Sequence, residues 1–265
     1  MKAKVPFLMI ESTANPQVKA VRGLYEKKQR HLENRFILEG ERLVRDGLYS
    51  KLSFVKCFVT SMLMPLFISD LESLAEKGTE VYIVADQVLE KLSSTKSPQG
   101  ILAVAEIPRF VFNASSSFLV LLDGVKDPGN AGTLIRSAEA SGADAVIFSA
   151  GCVDPFNEKV VRSGMGAHFR IPICTDWTVP DFEKNLKGFD FYLADLRGNL
   201  SYTGVNWMKK SVLVIGGEAN GASQEIKKHS ISIKIPMHGK VESLNAAMAG
   251  TIIMFEAMRQ KNNNP

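Results

Sequence analysis

Apolar and polar residues alternate at two different periods along this chain, and the period switches from segment to segment. From residue 12 to about 47 the chain reads as helical and basic. Ser12 and Asn15-Pro16 give a helix start with proline near the first helical position, and Val18, Val21, Leu24 and Tyr25 share one face. FILEG at 36–40 interrupts that repeat as a short strand ending in glycine. A helix over 41–50, a strand over 54–60 and a helix over 65–77 closed by Gly78 are predicted next. A strand over 81–84, a short helix over 86–93 and a strand over 100–105 complete the segment. This alternation predicts a small α/β domain of roughly a hundred residues. PRFVFNASSS at 108–117 contains proline and ends polar, as a linker does.

A second α/β domain with a mostly parallel sheet is expected from 118 onward. FLVLLDGV at 118–125 is a continuous apolar run of the kind buried in a parallel sheet. KDPGNAG and a helix over 131–141, ended by Gly142 at C′, come next. Strands over 145–148, 191–196 and 212–216, a helix over 156–163, and a strand entered through 168–173 continue the alternation.

The stretch ISIKIPMHGKVESLNAAMAGTIIMFEAMRQ, residues 231–260, reads as a strand, a polar loop and a long helix. Ile231, Ile233 and Ile235 alternate with Ser232 and Lys234, and Pro236 ends the ladder because it has no N–H. Gly239 lets the loop turn. Ser243 stands at the expected N-cap, and Leu244, Met248, Ile252, Phe255 and Arg259 recur at helical spacing. Ala246, Ala247, Ala249 and Gly250 let another backbone come close. A helical glycine costs about 1 kcal/mol relative to alanine, so packing or a ligand should explain it. The tail KNNNP is polar and expected to fray.

Composition narrows the function classes. A chain of 265 residues with 45% hydrophobic and 23% charged residues is that of a soluble globular protein with one or two domains. A net charge of +4 permits a nucleic-acid partner without requiring one. Cys57, Cys152 and Cys174 are widely spaced and form neither a disulfide framework nor a zinc site. The opening MKAKVPFLMIES has too short an apolar part for a signal peptide, and no apolar run approaches the roughly 20 residues of a membrane span. A cytoplasmic location and no metal are expected. In the first domain Lys19, Arg22, Lys28, Arg30, Arg35 and Arg42 are candidate phosphate contacts. Composition weighs a solvated helix face about equally.

Three loops at strand ends can carry chemistry. In the first, DGVKDPGN at 123–130, Asn130 can cap the following helix, whose N-terminus favours an anion, and Arg136 can point along the same rim. It is no dinucleotide fingerprint, because GxGxxG is absent. The second, VIGGEANG at 214–221, runs a strand into Gly216 and Gly217, which permit a flat ligand against backbone, and then into Glu218. The third holds Ser243 and Asn245, where spacing alone favours simple capping. Parallel sheets bind ligands where such loops meet. The lack of a nucleophilic triad fits a cofactor that brings its own reactive group.

Three blocks in order, NAGTLIRSAEASGAD, VIGGEANGAS and IPMHGKVESLNAAMAG, resemble the three motifs of the SpoU/TrmH RNA ribose methyltransferases of the SPOUT superfamily, over about 118–260. The stretch ESTANPQVKAVRGLYEKKQRHLENRFILEGERLV is similar to the substrate-binding domain that often precedes them. The resemblance implies a deep trefoil knot, a homodimer and S-adenosylmethionine bound bent in the knot. It implies cofactor contacts at Leu193, Ala194, Gly216, Gly217, Ile235, Met237, Leu244 and Asn245. Asn130, Arg136, Glu218, Ser243 and Asn245 match the polar motif residues, and Arg136 would hold the phosphate beside the reacting ribose. His238 is given no role. The implied activity is methylation of a ribose 2′-hydroxyl in structured RNA, ribosomal RNA first. The domains would be 1–107 for RNA and 118–265 for methyl transfer, with a linker at 108–117. Transfer RNA as substrate and a non-catalytic RNA-binding factor are the alternatives.

Overall fold

The computed structural model describes residues 7–110 and 115–263. The start at 1–6, part of the expected linker at 111–114, and the last two residues of the tail lie outside them. The chain divides into two compact units: residues 1–108 with 156–162, and 109–155 with 163–265.

The first unit holds a five-stranded sheet of β1 (Leu8–Ile10), β2 (Arg35–Glu39), β3 (Phe54–Thr60), β4 (Glu80–Val84) and β5 (Ile101–Glu106), ordered β1-β4-β3-β5-β2. β1, β4 and β3 run parallel, while β5 is antiparallel to both β3 and β2. Helices α1 (Pro16–Gly23), α2 (Lys27–Glu33), α3 (Glu41–Tyr49), α4 (Met64–Glu76) and α5 (Asp86–Leu92) alternate with them. Asn15, not Ser12, caps α1 by accepting from the Gln17 N–H at 2.8 Å, with Pro16 following. The predicted face of Val18, Val21 and Leu24 is buried against Phe58, Tyr82 and Val88. Phe58 and Tyr82 stack at 4.9 Å across the β3–β4 pair. The basic segment is thus broken into two helices, and Asn34 at φ 53° turns the second into β2.

The second unit is a seven-stranded parallel sheet of β6 (Phe118–Asp123), β7 (Ala145–Ser149), β8 (Ile173–Trp177), β9 (Asp190–Ala194), β10 (Leu200–Ser201), β11 (Ser211–Gly216) and β12 (Ser230–Lys234). Its order is β10-β12-β9-β11-β6-β7-β8. Every residue of β6 is buried, as its unbroken apolar run requires. The second unit's helices are α6 (Pro128–Ala140), α8 (Val179–Asn185), α9 (Gln224–His229) and α10 (Ala246–Asn262), while α7 (Glu158–Gly164) counts with the first unit up to Arg162. The periodicity reading misses β1, β10, α8 and α9, which are short and carry few apolar repeats.

Two expectations about the last helix are corrected. Asn245 caps α10, accepting from the N–H groups of Ala247 and Met248 at 2.9 and 3.2 Å, and Ser243 lies before the cap. Lys261 and Asn262 continue the helix, and the Lys261 ammonium donates to Ser117 at 2.7 Å. Gly250 has a packing reason. A β-carbon there would stand 2.5 Å from Leu134 of α6 and 3.2 Å from Ile215 of β11. Ala247, Ile253, Met254 and Ala257 form the buried face, while Met248, Ile252 and Phe255 are exposed.

His168 shows how the second unit's core depends on pH. Its ring is fully buried, and Nε2 donates to the Pro155 carbonyl at 2.8 Å. Burial pushes its pKa down from 6.5 to about 4. As pH falls below 6.5 the unfolded chain takes the proton first, so stability is full above that value and declines until about pH 4. The loss across this window is about 3 kcal/mol. Urea midpoints at pH 7 and pH 4.5 should therefore fall more in the wild type than in His168→Gln. Equal falls would show that another group carries the acid sensitivity.

Candidate active site

β12, β9, β11 and β6 lie side by side and parallel, so Lys234, Ala194, Gly216 and Asp123 end at one edge of the sheet. A cavity of about 740 Å³ opens there, a size suited to a cofactor. The ends of β9 and β11 supply Leu193, Ala194, Gly216, Gly217 and Glu218. The loop after β12 supplies Ile235, Met237, Ser243, Leu244 and Asn245. Strand order explains the convergence: β9 inserts between β11 and β12, so loops distant in sequence become neighbours.

Three polar side chains join the loops at the rim. Asn245 Nδ2 donates to Asn130 Oδ1 at 2.9 Å, and Asn130 Nδ2 donates to Glu218 Oε1 at 2.7 Å. One residue from each loop is thus used, and the chain has a direction because a carboxylate only accepts. Asn130 is free for this because it does not cap α6. Asp127 does, accepting from the Asn130 N–H at 2.7 Å. The protein's own carboxylate therefore occupies the N-terminus expected to attract an anion. Ser243 lines the cavity and is exposed.

Arg136 sits on α6, solvent-exposed, and does not line the cavity. It makes no hydrogen bond or ion pair among the described residues. An exposed guanidinium with no partner among the described residues can bind phosphate without first breaking a contact.

The glycines also have a packing reason within the chain. A β-carbon at Gly216 would stand 2.4 Å from the Ala222 nitrogen, and one at Gly217 would stand 2.2 Å from the Gly124 carbonyl oxygen. At Gly216 the close approach is to the far end of its own turn, and at Gly217 it is to the backbone just after β6. Burial pushes the Cys152 thiol up, and that of Cys57 up to about 12, which leaves both poor nucleophiles.

The candidate RNA contacts divide. Lys19, Arg22, Lys28 and Arg42 are exposed, and Arg35 is half-buried beside Glu33 at 3.4 Å. Arg30 is not on that surface. It is 3% exposed, and its guanidinium donates to the carbonyls of Leu24 and Tyr25 at 2.7 and 2.8 Å, closing the turn between α1 and α2. Sequence reasoning did not single out Asp195, Arg197, Asn220 or Lys227, which also line the cavity. Their position just beyond β9 and β11, or on α9, was the only signal for them.

The family comparison decides what kind of site this is. Residues 117–255 match the SpoU rRNA Methylase family, and residues 15–103 match the MRM3-like substrate binding domain. The chain belongs to the SpoU rRNA methylase family. It is 32% identical to the 23S rRNA (guanosine(2553)-2′-O)-methyltransferase RlmP of Bacillus subtilis, over 93% of this chain and 97% of that one. It is 30% identical to human mitochondrial rRNA methyltransferase 3, over 87% of this chain and 69% of the relative. The AdoMet-bound rRNA methyltransferase of Sinorhizobium meliloti superposes with a TM-score of 0.85 at 30% identity, over 95% of this chain and 97% of that one. That superposition spans both the smaller α/β unit and the parallel-sheet unit of this chain.

Proposed function

We propose that this protein transfers a methyl group from S-adenosylmethionine to a ribose 2′-hydroxyl of ribosomal RNA. The observation that carries the reading is the meeting of two motif loops at one cavity, with the third tied to both by the Asn245–Asn130–Glu218 hydrogen bonds. The cavity suits the cofactor. Leu193, Ile215, Ile235, Met237 and Leu244 make its walls apolar enough for an adenine, and Lys227, Asp195 and Glu218 offer both charges to a zwitterionic tail. When bound, S-adenosylmethionine supplies an electrophilic sulfonium methyl. The remaining work falls to the chain's own side chains. Arg136 holds the phosphate next to the target ribose and so orients its hydroxyl. The guanidinium charge also steadies the oxygen as its proton passes to water, since a guanidinium stays protonated and serves poorly as a base. Asn130 and Asn245 fix the rim on which the ribose rests. Mapping 2′-O-methylated nucleotides in ribosomal and transfer RNA, from cells with and without the protein, tests the reading. Loss of a ribosomal RNA site supports it, and loss of a transfer RNA site alone replaces it.

The family resemblance supports three further parts of the reading: a trefoil knot around the cofactor, a homodimer and a cytoplasmic location. The exposed Met248, Ile252 and Phe255 on α10 favour self-association, because soluble proteins seldom leave such a stripe uncovered. Light scattering on residues 117–265 should give twice the chain mass, and a monomer at micromolar concentration would contradict the dimer. No helix among the described residues is long and apolar enough to cross a membrane.

Residues 1–107 act as the RNA module, 108–117 as the linker and 118–265 as the methyltransferase. Lys19, Arg22, Lys28, Arg35 and Arg42 contact phosphate. Reversing Lys19, Lys28 and Arg42 to Glu should weaken RNA binding and flatten its salt dependence, because fewer counterions are released. Unchanged affinity and slope would make these residues a solvated face. Arg30 is left out, since its replacement would unpin the α1–α2 turn.

A further inference from the structure

We propose that Asp123 is a positioning residue for the cofactor wall, holding both ends of the turn that carries Glu218. The inference rests on the reading of the cavity as the S-adenosylmethionine site. Asp123 ends β6 and pairs in register with Gly216 of β11. It is 6% exposed and does not line the cavity. Its backbone carbonyl accepts from the Gly217 N–H at 2.9 Å, where the turn begins. Its carboxylate Oδ2 accepts from the Ser223 N–H at 2.6 Å, where the turn ends. The other oxygen, Oδ1, accepts from the Ser149 hydroxyl at the end of β7 at 2.7 Å. One residue therefore grips entry and exit of the 217–223 turn and ties it to a third strand.

Between those two anchors the turn has a single internal clamp, the Gly221 N–H to Gly217 carbonyl bond at 2.9 Å. Glu218, Ala219, Asn220, Gly221 and Ala222 all line the cavity. A side chain that fixes the exit of this turn fixes one wall, and through Glu218 it fixes the hydrogen bond to Asn130. A carboxylate buried without charge pairing is retained only where its hydrogen bonds repay its desolvation. Here both oxygens are used on loops that shape the site.

The hydrogen-bond roles make the proposal testable. In Asp123→Ala the Ser223 N–H loses its acceptor and the turn is held at one end. The dissociation constant for S-adenosylhomocysteine, measured by calorimetry, should rise about tenfold or more. Single-turnover methylation of ribosomal RNA at saturating cofactor should fall by a smaller factor than affinity does, because Arg136 is untouched. Asp123→Asn should restore affinity. Its amide oxygen can accept from Ser223 N–H, and its NH₂ can donate to Ser149, whose hydroxyl can rotate to accept. Asp123→Asn combined with Ser149→Ala leaves that NH₂ without its Ser149 partner, so the double variant should bind clearly more weakly than Asp123→Asn alone. The double variant decides the question if Asp123→Ala does not fold. The proposal is overturned if Asp123→Ala binds like wild type, if Asp123→Asn is as poor as Asp123→Ala, or if the double variant binds as well as Asp123→Asn. Wild-type protein that binds no S-adenosylhomocysteine would overturn the cofactor reading itself, a result distinct from these.

Discussion

Arg136→Ala is expected to slow methyl transfer by about 10²–10³ while leaving cofactor affinity nearly intact. The reason is where the side chain sits. Arg136 is exposed on α6, outside the cavity, with no ion pair among the described residues to absorb its charge. Its removal therefore disturbs neither the α6–α10 packing nor the cavity wall, and what is lost is the proposed contact to RNA. Arg136→Lys should recover little, since an ammonium cannot reproduce a two-pronged grip on phosphate. Asn245→Ala should behave in the opposite way. It removes the α10 cap, costing about 1 kcal/mol, and breaks the tie to Asn130 at the cavity rim, so cofactor binding weakens first. Calorimetry beside single-turnover kinetics separates the two. Should Arg136→Ala abolish cofactor binding yet react normally at saturation, the assigned roles are reversed.

Gly217→Ala should raise the cofactor dissociation constant by about ten- to a hundredfold, or about 1.4–2.8 kcal/mol. A methyl group at this position would meet the Gly124 carbonyl oxygen at 2.2 Å. Neither atom can rotate away, because both belong to backbone at the ends of adjacent strands. The strand ends must part, and the Gly217 N–H to Asp123 carbonyl bond goes with them. Overpacking of this kind also costs about 1–3 kcal/mol of stability, so the melting temperature should fall in parallel. A control at Gly239, where a β-carbon meets nothing within 4 Å, should leave melting unchanged. Wild-type affinity in Gly217→Ala would mean that the cavity wall tolerates a shifted turn.

Much of this arrangement is legible in the sequence, for physical reasons that differ by element. β6 and β11 announce themselves because strands buried on both faces must be apolar throughout. The first domain's elements are marked by Pro16, Gly78 and similar punctuation. What pattern could not give was partnership between distant residues. Asn130 and Asn245 each looked like a cap, and only one is. Asp127, three residues before Asn130, takes the capping work and frees the Asn130 amide to reach Glu218. Arg30 illustrates the converse. In sequence it belongs to a run of basic residues, but its guanidinium serves two backbone carbonyls that lie exposed only once α1 ends at Gly23. The long apolar repeat Met248, Ile252 and Phe255 has helical spacing, but the buried face of α10 is built from small residues and Ile253 and Met254. Hydrophobic spacing identifies a helix without saying which of two apolar faces meets the core.

The most direct test of the central claim is the fate of a labelled methyl group. Purified protein, S-adenosylmethionine labelled in the methyl, and ribosomal RNA would be incubated together, and the RNA digested to nucleosides for mass spectrometry. The structure and family membership predict label on one 2′-O-methylated nucleoside, with none in Arg136→Ala on the same timescale. Label on a base, or no transfer to RNA by protein that binds the cofactor, would contradict the account.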